Sequence, residues 1–208
     1  MRKKELAGAV WERLLKEFPQ SECSLESDTP ERLAVRGILS AQCTDKVVNQ
    51  TTEVFFKKHP SMEEIAELSE EEIGLEIKAC GLYRSKARSV KAFATRFVNE
   101  WEHKVPEDVN ILMEVPGVGK KIANLMVGEI YAIPAIVVDT HMKRVMKRIG
   151  LTDNTDPLKV EADLMKLFDE GCWIKIGHLA VDLGRAYCSS SSPKCGDCPL
   201  GDICKRRI

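Results

Sequence analysis

Apolar residues recur every three or four positions along most of the chain, the spacing that lines one face of an α-helix. Leu6, Val10, Leu14 and Phe18 form such a stripe. Thr29-Pro30 opens a second segment running to about Ala41, with Leu33, Ile38 and Leu39 on its apolar side. Asp45 begins a third through Val47, Val48, Val54 and Phe55. Ser61-x-x-Glu64 and Ser69-x-x-Glu72 have the form of capping boxes, in which a hydroxyl and a carboxylate satisfy the free amides of a helix start. Helical spacing continues over residues 85–101, 107–114, 120–131, 140–149, 157–168 and 174–187. Only Ala135–Val138 reads as extended, and it is too short to found a sheet. About ten helices joined by short loops put the chain in the all-α class.

A length of 208 residues fits one large domain or two small lobes around a shared cleft. Charges interrupt the apolar pattern of the first fifteen residues, MRKKELAGAVWERLL, so they read as an amphipathic helix rather than a signal peptide. No run of about 18 or more apolar residues occurs, so no span of a membrane is expected. The expected location is cytoplasmic.

The formal net charge is −1, which by itself argues against a nucleic-acid binder. Its distribution changes the picture. Seven acids and no base lie between Ser61 and Ile77, whereas Lys78, Arg84, Lys86, Arg88, Lys91 and Arg96 follow with no acid before Phe97. Lys120, Lys121, Lys143, Arg144, Lys147 and Arg148 make a second basic group, and Lys205, Arg206 and Arg207 a third. Phosphate binding needs a local positive face and not a positive total. Solvated helix faces explain the same runs equally well, so charge only permits a nucleic-acid partner.

Eight cysteines would suggest disulfides in a short secreted chain. Here Cys23, Cys43, Cys80 and Cys172 are scattered through amphipathic segments, where a free cysteine acts as a small hydrophobe. The other four, Cys188, Cys195, Cys198 and Cys204, crowd into the last 21 residues as C-x6-C-x2-C-x5-C. Short loops let four thiolates converge without long closures, and Pro193, Gly196 and Pro199 supply turns. Four thiolates suit either tetrahedral zinc or an iron–sulfur cluster.

The segment from Ile111 to Asn124 joins two helical stretches through Pro116-Gly117-Val118-Gly119. Glycine lets the backbone turn sharply, and the helix beginning near Lys120 brings its free amides and positive dipole end to that turn. The arrangement is a phosphate seat indifferent to base sequence, or a plain helix–helix corner. Lys120 is a candidate phosphate contact. At Lys121 the helix dipole and Lys120 both disfavour a charged ammonium, and a neutral amine is a nucleophile. Asp139, in Val137-Val138-Asp139-Thr140-His141, is placed to cap a helix or to set a carboxylate beside a reacting sugar; one residue can do both. His141 reads as a local hydrogen-bonder.

Together, VPGVGKKIAN, VVDTH and the four-cysteine spacing resemble endonuclease III, a helix–hairpin–helix DNA glycosylase. LSAQCTD (Leu39–Asp45) and GLYRSKA (Gly81–Ala87) resemble two further motifs of that family in the expected order, so the likeness spans roughly residues 30–204. The resemblance implies Lys121 as nucleophile and Asp139 as catalytic carboxylate. It also implies DNA contacts at Gly117, Val118, Gly119, Lys120 and His141, and Gln42 and Leu82 entering the DNA stack. It tips the metal choice to a 4Fe–4S cluster on Cys188, Cys195, Cys198 and Cys204. It further implies two lobes flanking a DNA cleft. A six-helix lobe over residues 22–133 would contain the helix-hairpin-helix at about 111–131, and residues 1–21 with 134–208 would form the cluster lobe.

The implied partner is double-stranded DNA with a damaged base or abasic site, met by a monomer near the nucleoid. The loop between the first two cluster cysteines is often basic in relatives, but here it is SSSSPK with Lys194 its only charge. Adenine-specific mismatch glycosylases, which lack the lysine, fit the pattern less well. A mismatch thymine or uracil glycosylase, and a non-catalytic metal-stabilised DNA-binding module, are the competing readings.

Overall fold

The structure, a computed structural model, describes residues 2–206. Arg207, counted above in the third basic group, lies outside the described residues. The regular elements are all helical: α1 (Lys3–Glu17), α2 (Pro30–Leu39), α3 (Asp45–Lys58), α4 (Met62–Glu67), α5 (Glu70–Glu76), α6 (Tyr83–Asn99), α7 (Val109–Met113), α8 (Lys120–Tyr131), α9 (Thr140–Ile149), α10 (Pro157–Met165) and α11 (Trp173–Ala186). Two 3₁₀ turns, Lys78–Cys80 and Glu170–Cys172, complete them. Ala135–Val138 pairs with no strand among the described residues, because there is no second extended segment to complete a ladder. No helix among those residues is long and apolar enough to cross a membrane.

Local chemistry starts the helices. Thr29, Thr44, Ser61, Ser69, Asp108, Asp139 and Asp156 each accept a hydrogen bond from an amide in the first turn that follows. The reciprocal box forms at Ser69, where Glu72 Oε2 also accepts from the Ser69 amide at 2.8 Å. At Ser61 the hydroxyl caps Glu64 N at 3.2 Å, the first half of such a box.

The chain divides into two compact units. One is the continuous stretch Cys23–Tyr131, holding α2–α8. Leu33, Leu39, Phe55, Ile73, Phe93, Leu112 and Met126 are fully buried in it. Each such side chain contributes about 1.5–3 kcal/mol when removed from water. The nearly buried Arg36 links α2 to its surroundings: it donates to Thr52 Oγ1 at 3.0 Å and Glu26 O at 2.9 Å, and pairs with Asp28. The other unit joins Met1–Glu22 to Ala132–Ile208. The α1 stripe of Leu6, Val10 and Leu14 packs there into one core with Met142, Val145, Ile149, Ile176, Leu179 and Leu183.

Candidate nucleic-acid site and cysteine centre

The hairpin forms because α7 ends in tight turns. Val115 N donates to Leu112 O at 3.2 Å and Val118 N to Val115 O at 3.0 Å, closing the chain on itself. Gly117 between them has φ +79°, a conformation costly for residues with a Cβ. A Cβ there would also lie 2.5 Å from Ser89 Oγ on α6, so glycine is required twice over. Gly119 O accepts from Ile122 N and Ala123 N, both at 3.0 Å, and so starts α8. Val118 is 5% exposed and its amide is engaged by Val115, so it is the flanking glycines that face outward.

Lys120 and Lys121 stand exposed in the first turn of α8. Among the described residues the Lys121 amine meets no hydrogen-bond or ion-pair partner. Other lysines of this unit contrast with it: Lys91 donates to Ala66 O and Leu68 O, and Lys104 pairs with Glu107 at 2.8 Å. A reactive amine has to be accessible and uncommitted, and Lys121 is both.

Gln42 and Leu82 share an unusual backbone. Gln42 has φ +52° and Leu82 φ +47°, left-handed values that cost a side-chain-bearing residue about 1–2 kcal/mol. Both are exposed, and Leu82 at 55% is one of the larger apolar side chains left in solvent. The roots of their two loops meet at Lys86, which the sequence reading counted only as one charge in a basic run. Lys86 is 4% exposed, and its Nζ donates to Leu39 O at 2.9 Å and Cys80 O at 2.7 Å. Burial pulls this amine below the usual lysine range, while the Cys43 and Cys80 thiols beside it pull the other way.

Asp139 caps α9: its Oδ1 accepts from Met142 N at 2.7 Å, which fixes the carboxylate at the helix start. His141 Nδ1 lies 3.1 Å from Arg144 Nη2 and so makes a local hydrogen bond. The two basic residues of α9 that face the cysteines do not form an open phosphate face. Arg144 Nε donates to Cys188 O at 2.9 Å, and Arg148 donates to Ser189 O at 2.6 Å and Ser190 O at 2.9 Å. Arg148 Nη1 also reaches Cys188 Sγ at 3.5 Å. In the earlier run, Arg96 pairs with Glu114 and Glu100, and Arg88 with Glu70. The signal that could have separated Arg144 and Arg148 from surface charge is their i, i+4 spacing on one helix face, opposite a segment rich in turns.

The four late cysteines line one cavity with Arg148, Leu183, Tyr187, Leu200 and Gly201. Counting space open to solvent, about 420 Å³ there is free of protein atoms. Turns wind the chain around it: Gly201 N donates to Cys198 O at 2.9 Å and Cys204 N to Leu200 O at 2.8 Å. A Cβ on Gly201 would sit 2.9 Å from Cys195 O, so the strand of chain passes too close for any side chain. Burial pushes the Cys198 and Cys204 thiols up against the pull of backbone hydrogen bonds, and the neighbouring thiols add a further upward push. Among the described residues no three His, Cys, Asp or Glu side chains converge closely enough to hold a single metal ion. From α1, Arg13 donates to Pro199 O at 3.1 Å and pairs with Asp202.

The family model described as "HhH-GPD superfamily base excision DNA repair protein" matches residues 35–170. Endonuclease III of Synechocystis sp. is 38% identical over 97% of this chain and 93% of its own length. Endonuclease III of Bacillus subtilis is 39% identical over 90% of this chain and 86% of its own. A solved structure of a trapped endonuclease III–DNA covalent intermediate superposes with a TM-score of 0.93 at 36% identity, covering 99% of this chain and 97% of that one. With these likenesses extending over nearly its whole length, the chain belongs to the HhH-GPD superfamily of base excision DNA repair proteins and, within it, to the endonuclease III family of DNA glycosylases and abasic-site lyases.

Proposed function

We propose that this chain binds double-stranded DNA, removes oxidised or ring-saturated pyrimidines, and cuts the strand at the abasic site through a lysine Schiff base. The observation that carries the reading is the exposed, unpartnered Lys121 amine in the first turn of α8, directly after the Gly117 hairpin. The exposed glycine turn and the positive dipole end of α8 suit one phosphate of the backbone. Lys120 adds charge there, and His141 is a second candidate contact.

A base inside a duplex is unreachable until its nucleotide leaves the stack, at a cost of a few kcal/mol. Gln42 and Leu82 would fill the space left behind and hold that state. The Lys121 amine then attacks C1′ of the deoxyribose, and the bond from C1′ to the base nitrogen breaks with the electron pair leaving on the base. Asp139 stabilises the positive charge that grows on the sugar and takes part in proton transfer. Loss of the ring oxygen from C1′ gives the Schiff base. Removal of a C2′ proton expels the 3′ phosphate by β-elimination, and water then releases Lys121.

Cys188, Cys195, Cys198 and Cys204 would hold a 4Fe–4S cluster. A single tetrahedral zinc needs four sulfurs about 2.3 Å from one point, whereas thiols ringing a cavity suit a group that brings its own volume. Bound, the cluster would supply positive charge among mutually repelling thiolates and so stiffen the C-terminal arm. The chain would work as a monomer in the cytoplasm, on nucleoid DNA.

Borohydride reduction of the enzyme mixed with abasic-site DNA tests the reading. A covalent adduct is expected from the wild type and none from Lys121→Gln, with DNA binding retained. An adduct undiminished in that variant would overturn the assignment. Purified protein should carry about four irons per chain.

A further inference from the structure

We infer that Lys86 is the positioning residue that ties Gln42 and Leu82 together, so that the two loops meet the DNA stack as one part; this rests on the role proposed for those two residues above. Leu39, whose carbonyl accepts from Lys86 Nζ at 2.9 Å, is the last residue of α2 and lies three positions before Gln42. Cys80, which accepts from the same amine at 2.7 Å, ends a 3₁₀ turn two positions before Leu82. One ammonium therefore bridges the roots of two loops that are 40 residues apart in sequence, from Gln42 to Leu82. Its partners are backbone carbonyls, so what it fixes is the path of the chain and not a charge.

Three further contacts tighten the device. The Lys86 amide donates to Leu82 O at 3.1 Å, and Ser85 Oγ donates to the same carbonyl at 2.9 Å. On the next turn of α6, Ser89 approaches the hairpin so closely that Gly117 has no room for a Cβ. Ser85, Lys86 and Ser89 thus root all three loops assigned to DNA on one helix. Left-handed backbone at two non-glycine residues persists only where its surroundings over-determine it. Lys86 supplies that restraint at both roots, since its two acceptors sit three and two positions upstream of the strained Gln42 and Leu82.

The experiment compares two rates under single turnover for each variant: excision of a damaged base from duplex, and nicking of a single-stranded abasic site, which has no partner strand to separate from. Lys86→Met keeps the length of the side chain and removes its donors; the ratio of duplex to single-strand rate is expected to fall by a factor on the order of 10–100. Leu82→Ala should lower the same ratio, and Lys86→Met added to Leu82→Ala with Gln42→Ala should lower it no further. Lys91→Met is the matched control, because Lys91 also bridges two carbonyls but roots neither loop; it should lower the melting temperature and leave the ratio unchanged.

A fully additive loss in the combined variant, or an unchanged ratio in Lys86→Met while Leu82→Ala lowers it, overturns the role of Lys86. An unchanged ratio in Leu82→Ala and Gln42→Ala overturns instead the reading on which it rests. If Lys86→Met shows no cooperative unfolding, Lys86→Gln, which keeps a donor for one carbonyl, carries the same comparison.

Discussion

The continuous unit and the cysteine arm hold their functional groups by opposite means. In Cys23–Tyr131 the hairpin and the two strained loops are fixed by turns, by a buried lysine and by close packing on α6. Every restraint there is a hydrogen bond or a steric contact already made. The arm from Cys188 to Arg206 lacks a helix, and its four thiols line one cavity that opens to solvent. Arginines of α9 and α1 hold its carbonyls from outside, while burial disfavours the charge its thiolates would carry. One region is held by contacts within helices and their turns; the other is a helix-free arm held by arginines that reach it from α9 and α1.

The sharpest way to break this comparison is Cys198→Ser. Iron content and protease resistance of residues 188–206 should fall together, whereas hydrogen exchange in α6 and α8 should keep its native pattern. If both units open together, the contrast is lost. Next comes Arg148→Met, which removes donors to Ser189 O and Ser190 O and should cost about 1–3 kcal/mol. It should leave the salt dependence of DNA affinity unchanged; a shallower slope would make Arg148 a phosphate contact instead.

Within the continuous unit, Gly117→Ala should destabilise by about 1–2 kcal/mol, since φ is +79° and Ser89 Oγ lies in the way. Gly119→Ala, with nothing within 4 Å of its Cβ and no positive φ, should stay within about 0.5 kcal/mol. Equal effects in denaturant titrations would show that the turn is not the constraint.

A modest effect, confined to acid pH, concerns Asp28. Burial acts to raise this carboxyl, but hydrogen bonds from Arg32 and Arg36 outweigh it and hold the group at about 2 against an ordinary 3.8. A depressed carboxyl stabilises above its unfolded value, so the contribution is present above pH 3.8 and is lost as pH falls toward 2. The whole shift corresponds to about 2.5 kcal/mol. With the side chain 42% exposed, screening leaves about 1 kcal/mol. Asp28→Asn should therefore flatten the acid limb of the stability curve by about that amount.

Much of this was legible from residue order. Period and caps located the helices, because Thr29, Ser69 and Asp139 act on amides within three positions of themselves. Four cysteines in one short stretch announced a shared centre for the same reason. What depends on distant chain was not legible. Lys86 looks like surface charge until Leu39, 47 positions away, is seen to end beside it. The start of α6 lies at Tyr83 and not Ser85, because Leu82 enters the helix in a left-handed conformation with no capping side chain to signal it. Arg144 and Arg148 read only as members of a basic group, because the carbonyls they serve lie some 40 positions further on.

The packing of α1 against α11 has a consequence for how the protein is made. Leu6, Val10 and Leu14 leave the ribosome well before Leu179 and Leu183, with which they share a core and which are translated some 170 residues later. At an elongation rate of about 5–20 residues per second, that oily stripe waits roughly ten seconds or more for its mate, while the stretch behind it is already able to fold. Nascent chains stalled before Trp173 should accordingly be richer in chaperone captured at α1 than full-length ones.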